Sequence, residues 1–406
     1  MIVVHALASH IVPPKFQPRV SAGDCDIHMA SCPDRTQRVD AALALPIDWD
    51  LFLRVVRRHR IEGLAFNALL NASYPMPPVA QTALQAAAEH QASKSLLYAA
   101  ETIRVCRILR EAGIPVASLK GASLSMLAFG NLGLRHGRDI DLLVSPDDAL
   151  RADEVLSSSY DLQMPIGPHS LPQKKHWIHQ RKHFEYRERS KGIPLELHWR
   201  LFDNPRFFTD GSDPSTWMDV PILGKSSLQT LSTPDLLLYL CVHGANHMWF
   251  RLKWLADLQA LLQQSGPKAV QQLEDDARSH HCERAVGQAL GLTQFLYSVP
   301  PLERMSSRAG AVHGLMQSAL LAMTSGDAAS ELETVPFGTS RLAWARYRLK
   351  PEWRFWLHET SSLLVDEHDR KSAHLPHSMR FFLPLLRLPL WLGRRFLGRG
   401  RSSRGY

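Results

Sequence analysis

Arg138-Asp139-Ile140-Asp141-Leu142-Leu143-Val144 sets two carboxylates among apolar residues in a run that otherwise reads as a buried strand. Residues two apart in a strand share a face, so Asp139 and Asp141 project together while Ile140 and Leu142 turn into a core. Two anions side by side need a partner, because buried, unpaired carboxylates either shift their pKa or carry a heavy desolvation cost. At the end of a hydrophobic strand that partner is commonly a divalent metal. The plainer alternative is an exposed strand end with solvated acids.

Upstream, Pro115-Val116-Ala117-Ser118-Leu119-Lys120-Gly121-Ala122-Ser123 reads as a short strand, a tight turn at Gly121, and a helix beginning near Ser123 or Leu124. Such a turn presents backbone N–H groups at a helix N-terminus, an anion site to which Lys120 adds charge suited to phosphate. Downstream, Lys182-His183-Phe184-Glu185-Tyr186-Arg187-Glu188 and Leu195-Glu196-Leu197-His198-Trp199, joined through Ser190-Lys191-Gly192, alternate with period two and predict a β-hairpin. Leu195 and Leu197 face the core in that register. Glu196 and His198 then take the opposite face, where a third carboxylate joins the first two.

Strand, Lys-Gly turn, helix, Gly137-Arg138-Asp139-Ile140-Asp141-Leu142-Leu143-Val144 and the later Glu196-Leu197-His198-Trp199 together resemble the uncharacterised nucleotidyltransferase family of the polymerase-β-type nucleotidyltransferase superfamily. The resemblance extends through Leu236 to His247 and Leu252 to Leu258, which are similar to the helical segment after the catalytic core there. It covers roughly residues 45 to 265. The superfamily's common turn is Gly-Ser or Gly-Gly, and the Lys120-Gly121-Ala122-Ser123 form fits this particular family. The resemblance implies an α+β fold: a small mixed-sheet nucleotidyltransferase core with N-terminal and C-terminal helical regions.

It also implies a chemistry. Asp139, Asp141 and Glu196 would hold two Mg²⁺ ions, with an NTP, ATP first among them, as donor of an NMP group and pyrophosphate as the leaving product. Lys120, Gly121 and Ser123 would hold the phosphates, and Arg138 would either stabilise transition-state charge or pair with a neighbouring acid. Lys253 and Asp257, four apart, form an intrahelical ion pair, or Lys253 faces the triphosphate. His243 and His247 share a helix face; without a third ligand or a zincin glutamate they read as packing or substrate-lining residues rather than a zinc site. His198 is a substrate contact or a hydrogen-bonded structural histidine. A different class of function on the same fold is a nucleotide-binding or regulatory module without turnover, against which the presence of all three carboxylates counts.

The 406 residues exceed what one core usually serves. The expected division is a loosely ordered leader over 1–40 (with Met29 an alternative start), a helical region over 41–114 that includes an amphipathic helix from Ile47 and a long Ala-rich helix from Gln81 to Ala112, the core over 115–225, a helical domain over 226–335 opened by Pro234 behind a Ser232 or Thr233 cap, and a C-terminal helical region with a basic tail over 336–406. Five cysteines, an odd number without metal-like spacing, suit a reducing, cytoplasmic setting. The start is a poor signal peptide, and no apolar run reaches the roughly twenty residues a bilayer span needs.

The net charge of +8 is misleading as a whole-chain figure, because nine Lys/Arg and no acid lie beyond Asp369. The body is close to neutral and lacks the basic track that long nucleic acid needs, leaving a small molecule, a sugar phosphate or a peptide or protein side chain as acceptor. Residues 379–397 mix arginines with Phe381, Phe382, Trp391 and Phe396. They read as a peripheral contact with the inner face of a membrane, as a last element packed on the body, or as a nucleic-acid contact.

Overall fold

The computed structural model describes residues 46–70, 76–163, 170–208, 213–297, 309–324 and 344–364, together with Leu43. The expected leader and the arginine-rich segment 379–397 lie outside the described residues. Among the described residues no helix is long and apolar enough to cross a membrane.

Two short helices stand early in the described residues, α1 (Trp49–His59) and α2 (Glu62–Leu69). The Asp48 side chain caps α1 by accepting from the Leu51 N–H, and α1 turns Phe52 and Val56 inward. The long Ala-rich helix α3 (Pro78–Glu111) starts three residues earlier than its sequence pattern indicates, with Pro78 in the first turn where a missing N–H costs nothing. The core follows: β1 (Ala117–Ser118), α4 (Ala122–Phe129), β2 (Ile140–Leu143), α5 (Ala149–Leu156), β3 (Tyr160–Leu162), α6 (Leu171–Gln180), β4 (His183–Glu188) and β5 (Pro194–His198).

These strands form a five-stranded mixed sheet in the order β1-β2-β5-β4-β3. Only β2 and β5 run parallel; every other pairing is antiparallel, including the expected β4–β5 hairpin. Ile140, Leu142, Leu195 and Leu197 enter one core with Tyr98, Val105 and Leu109 of α3 and Ala152 and Leu156 of α5. A second hairpin, β6 (Met218–Leu223) and β7 (Ser226–Thr230), is unanticipated by the sequence reading. It turns at Gly224, whose φ of 57° suits glycine, and Thr230 ties it to β1 by donating from Oγ1 to the Ser118 carbonyl at 2.7 Å.

Helices α7 (Thr233–Asn246), α8 (Leu252–Ser265), α9 (Pro267–Ser279), α10 (Glu283–Tyr297), α11 (Ala309–Thr324) and α12 (Trp353–Leu364) complete the described chain. Ser232 is the cap of α7, its side chain accepting from the Asp235 N–H. Residues of α7 to α11 build the second core with Phe52, Val56, Ala117, Leu119 and Leu143. The sheet is thus gripped on both sides: helices α3 and α5 cover one face, and the carboxylate-bearing face looks toward α7 and α8.

The α7–α8 junction is strained. Met248 and Trp249 both have φ of 51°, a conformation bulky residues seldom adopt. What holds them is Trp249, fully buried with its indole against Gly244. A Cβ at Gly244 would lie 2.4 Å from that ring. Gly244→Ala is therefore expected to destabilise the protein by about 1–3 kcal/mol, the usual cost of overpacking, seen as a lower urea midpoint; an unchanged midpoint would refute the account of this junction.

Candidate active site

Parallel pairing of β2 with β5 sets Asp141 directly beside Glu196, and antiparallel pairing of β5 with β4 sets Glu185 beside Glu196. Asp139 immediately precedes β2. The row is graded in exposure: Asp141 is 3% exposed, the Glu196 side chain 30% and the Glu185 side chain 63%. Burial, together with the charges of Asp141 and Glu196, raises the Asp139 carboxyl above its ordinary range despite Lys120. Its carboxylate has no hydrogen bond or ion pair among the described residues.

Asp141 goes the other way. Burial would raise it, but Lys120 and His198 outweigh burial and hold it well below the usual carboxylate range. The Lys120 Nζ lies 3.0 Å from Asp141 Oδ1, and His198 Nε2 lies 3.4 Å from the same oxygen. Burial would lower the Lys120 ammonium, yet Asp141, Tyr239, Asp139 and Glu196 hold it raised. Glu196, against the pull of burial, is brought down to about 2 chiefly by His198, whose Nε2 is 3.1 Å from Glu196 Oε2.

The Lys-Gly turn differs in detail from its sequence reading. The Lys120 ammonium enters the carboxylate row, and Ser123 is fully buried, donating from Oγ to the carbonyls of Ser118 (3.0 Å) and Lys120 (3.1 Å). That hydroxyl therefore staples the turn from within. Gly121 has φ of 69° and nothing within 4 Å of where a Cβ would stand, and no side chain caps α4. The open part of the turn is thus its backbone, with first-turn N–H groups uncapped.

Two further cations act on Asp139 electrostatically, Lys253 pulling its carboxyl down and Arg60 being pulled up by it in turn. Lys253 is buried on α8, donates from Nζ to the His136 carbonyl at 3.1 Å, and is lowered to about 7 by burial and then by Arg135 and Arg60. The expected Lys253–Asp257 ion pair does not form, because Arg135 takes Asp257, with Nε 3.0 Å from each carboxylate oxygen in a buried pair. Arg60, at the end of α1 with φ of 57°, is lowered to about 9 by burial and by Arg251 and Arg138. Neither Arg60 nor the exposed Arg138 has a side-chain partner among the described residues. Arg60, Arg135 and His183 were missed by the sequence reading.

His243 and His247 stand in a ring cluster: their centroids are 4.8 Å apart, with Trp254 at 5.5 and 5.3 Å from the two and Phe250 4.9 Å from Trp254. Burial keeps both imidazoles neutral, with His247 down at about 3. Among the described residues no third ligand gathers around this pair; the group of His and acid able to hold a metal is His183, Glu196 and His198.

A family model described as an uncharacterised nucleotidyltransferase matches residues 46–298, more than half of the chain, and the chain belongs to that family. No curated protein matches it. The matched stretch begins before α1 and ends at the close of α10, so it takes in every residue of the carboxylate row and of the cation group.

The graded exposure of the row separates two neighbouring glutamates. Transfer activity assayed with Mg²⁺ should fall by more than about tenfold, or about 1.4 kcal/mol, in Glu196→Gln and by less than about threefold in Glu185→Gln. The reverse ranking would place the third carboxylate on the wrong strand of the hairpin.

Proposed function

We propose that this chain moves the NMP group of an NTP, ATP first among them, to a hydroxyl or phosphate on a small molecule, a sugar phosphate or a peptide or protein side chain. The acceptor oxygen forms a bond to the α-phosphorus, the bond from that phosphorus to the bridging oxygen breaks, and pyrophosphate leaves. The observation that carries this reading is the row Asp139, Asp141 and Glu196 on one sheet face, beside an uncapped glycine turn and a group of cations.

The donor set suits a divalent metal: three carboxylates, one of them raised by burial and without a partner among the described residues. Bound there, Mg²⁺, two ions in this reading, would supply Lewis-acid stabilisation of the transferring phosphoryl group and ease deprotonation of the acceptor hydroxyl. The protein's own groups supply position and charge. Backbone N–H groups at Gly121 and Ala122 take phosphate oxygens, and Arg60, Arg138 and Lys253 neutralise the triphosphate. Lys120 holds Asp141 ionised and in place through its ion pair. The half-buried rings of His243, His247 and Phe250 offer a neutral surface on which a base or an aromatic acceptor can stack.

A nucleotide-binding module without turnover draws on one observation, that Lys120 already neutralises Asp141. Supplying the protein with α-labelled NTP, Mg²⁺ and a cell extract separates the two: label joined to an acceptor supports transfer, whereas NTP binding with no labelled product supports the module.

Asp139→Asn/Asp141→Asn should reduce transfer to below about a tenth of wild type, a loss above about 1.4 kcal/mol, and Asp139→Asn alone, which leaves the Lys120–Asp141 pair intact, should do so with the melting curve little changed. Asn is preferable to Ala because it keeps the shape of the site around buried Lys120. Retention of most of the turnover would remove the carboxylates from the mechanism.

Lys253 gives a pH signature. Held at about 7 in the free protein by burial and then by Arg135 and Arg60, it is raised when a phosphate anion binds beside it. Its contribution to binding is therefore full below about pH 7 and is lost as pH rises through the bound-state value. NTP affinity should drop by about threefold or more between about pH 7 and pH 9 in wild type relative to Lys253→Met, measured calorimetrically. Parallel pH profiles would take Lys253 out of the triphosphate site.

A further inference from the structure

We infer that His183, His198 and Glu196 form a nitrogen-rich metal position, suited to a first-row divalent transition ion such as Zn²⁺, beside the all-oxygen position of Asp139 and Asp141. One ligand atom from each of the three residues lies within 4.8 Å of the other two. The strands bring them there: His183 of β4 is directly opposite His198 of β5, and Glu196 lies two residues before His198 on the same face.

The two imidazoles are not packed as a stacked aromatic pair. Their centroids are 5.0 Å apart and the planes are tilted by 34°, while His198 is 1% exposed. The Nδ1 atom of His183 is buried and has no hydrogen-bond partner among the described residues, a desolvation cost that a bound cation would remove. His183 also has the second interaction that metal-bound histidines usually have. Its Nε2 lies 3.3 Å from Glu185 Oε1, so a proton donated to that carboxylate leaves Nδ1 with a free lone pair.

His198 presents Nε2 to two carboxylates at once, Glu196 Oε2 at 3.1 Å and Asp141 Oδ1 at 3.4 Å. One proton serves one of them well; a cation placed among them serves all three groups. The spacing of 3.1 Å is within a few tenths of an ångström of the roughly 3.4 Å that separates two donors each bound about 2.1 Å from one tetrahedral ion. Two imidazoles and one carboxylate favour zinc, cobalt and their neighbours, whereas carboxylates alone favour Mg²⁺. The sheet face would therefore have two unequal metal positions with Glu196 between them. This position does not depend on the transfer reading, and its test reads metal affinity rather than turnover.

The untagged full-length protein, stripped with a chelator, is titrated with Co²⁺ in the presence of millimolar Mg²⁺. One equivalent should bind with a visible absorption band, and Zn²⁺ should displace it. His183→Gln and His198→Gln should each weaken Co²⁺ by more than about tenfold, and Glu185→Gln, which only orients His183, by roughly tenfold or more. Asp139→Asn should leave the band in place. If either histidine variant fails to fold, as judged by its melting curve, the other and Glu185→Gln carry the test. Co²⁺ displaced by an equal concentration of Mg²⁺, or unchanged binding in the folded variants, would overturn the inference.

Discussion

The register of β2 against β5 is the constraint on which the site depends. Their parallel pairing puts Ile140 beside Leu195 and Asp141 beside Glu196, and residues alternate strictly between faces. A slip of one residue would bury the carboxylates in the core under α3 and expose the leucines. The apolar half of each strand therefore fixes the polar half: burying Ile140, Leu142, Leu195 and Leu197 together leaves Asp141 and Glu196 no place but the other face. Hydrophobic burial, at about 25 cal/mol per Å² of apolar surface, stabilises an arrangement of charges that would not assemble by itself.

That arrangement is costly, and the structure distributes the cost among cations from three separate regions. Lys120 comes from the glycine turn, Lys253 from α8, and Arg60 from the end of α1. Arg135 and Asp257, a buried pair 122 positions apart in sequence, hold α8 against the loop before β2. Breaking one partner of such a pair leaves an uncompensated buried charge, at about 3–5 kcal/mol. Lys253 lies one helical turn from Asp257, so the pair also fixes where its ammonium stands.

The carboxylate row was legible in the sequence because it rests on period-two alternation, a local property. Asp139, Asp141 and Glu196 could be placed on one face from their neighbours alone, and so could the β4–β5 hairpin. Of the two readings open for Lys253, the pair with Asp257 does not form, because helical spacing shows only which residues can meet and Arg135 competes from a loop no local pattern connects to α8. Ser123 reads as a phosphate ligand because the resemblance implies that role for the whole Lys120-Gly121-Ala122-Ser123 turn. Its inward bonds to Ser118 and Lys120 follow from the sharp glycine turn. The β6–β7 hairpin had a signal in Gly224-Lys225 between two alternating runs. His183 had none: it matters only because cross-strand pairing brings it opposite His198.

The metal-capable triad and the carboxylate row share Glu196, and this sharing limits what either can do alone. Asp141 is held ionised by Lys120 and His198 together, so a cation that engaged the His198 imidazole would remove part of the support for Asp141 and replace it with its own charge. Occupation of the nitrogen-rich position would thus change the field at the oxygen-rich one without altering the fold. The β4–β5 hairpin carries His183, Glu185, Glu196 and His198 on one face, while Asp139 and Asp141 belong to β2 and the bend before it. Because β5 is hydrogen-bonded to β2 in register, the distance between the two groups is set by backbone rather than by side-chain choice. A charge added on one strand is therefore felt on the other at a fixed range.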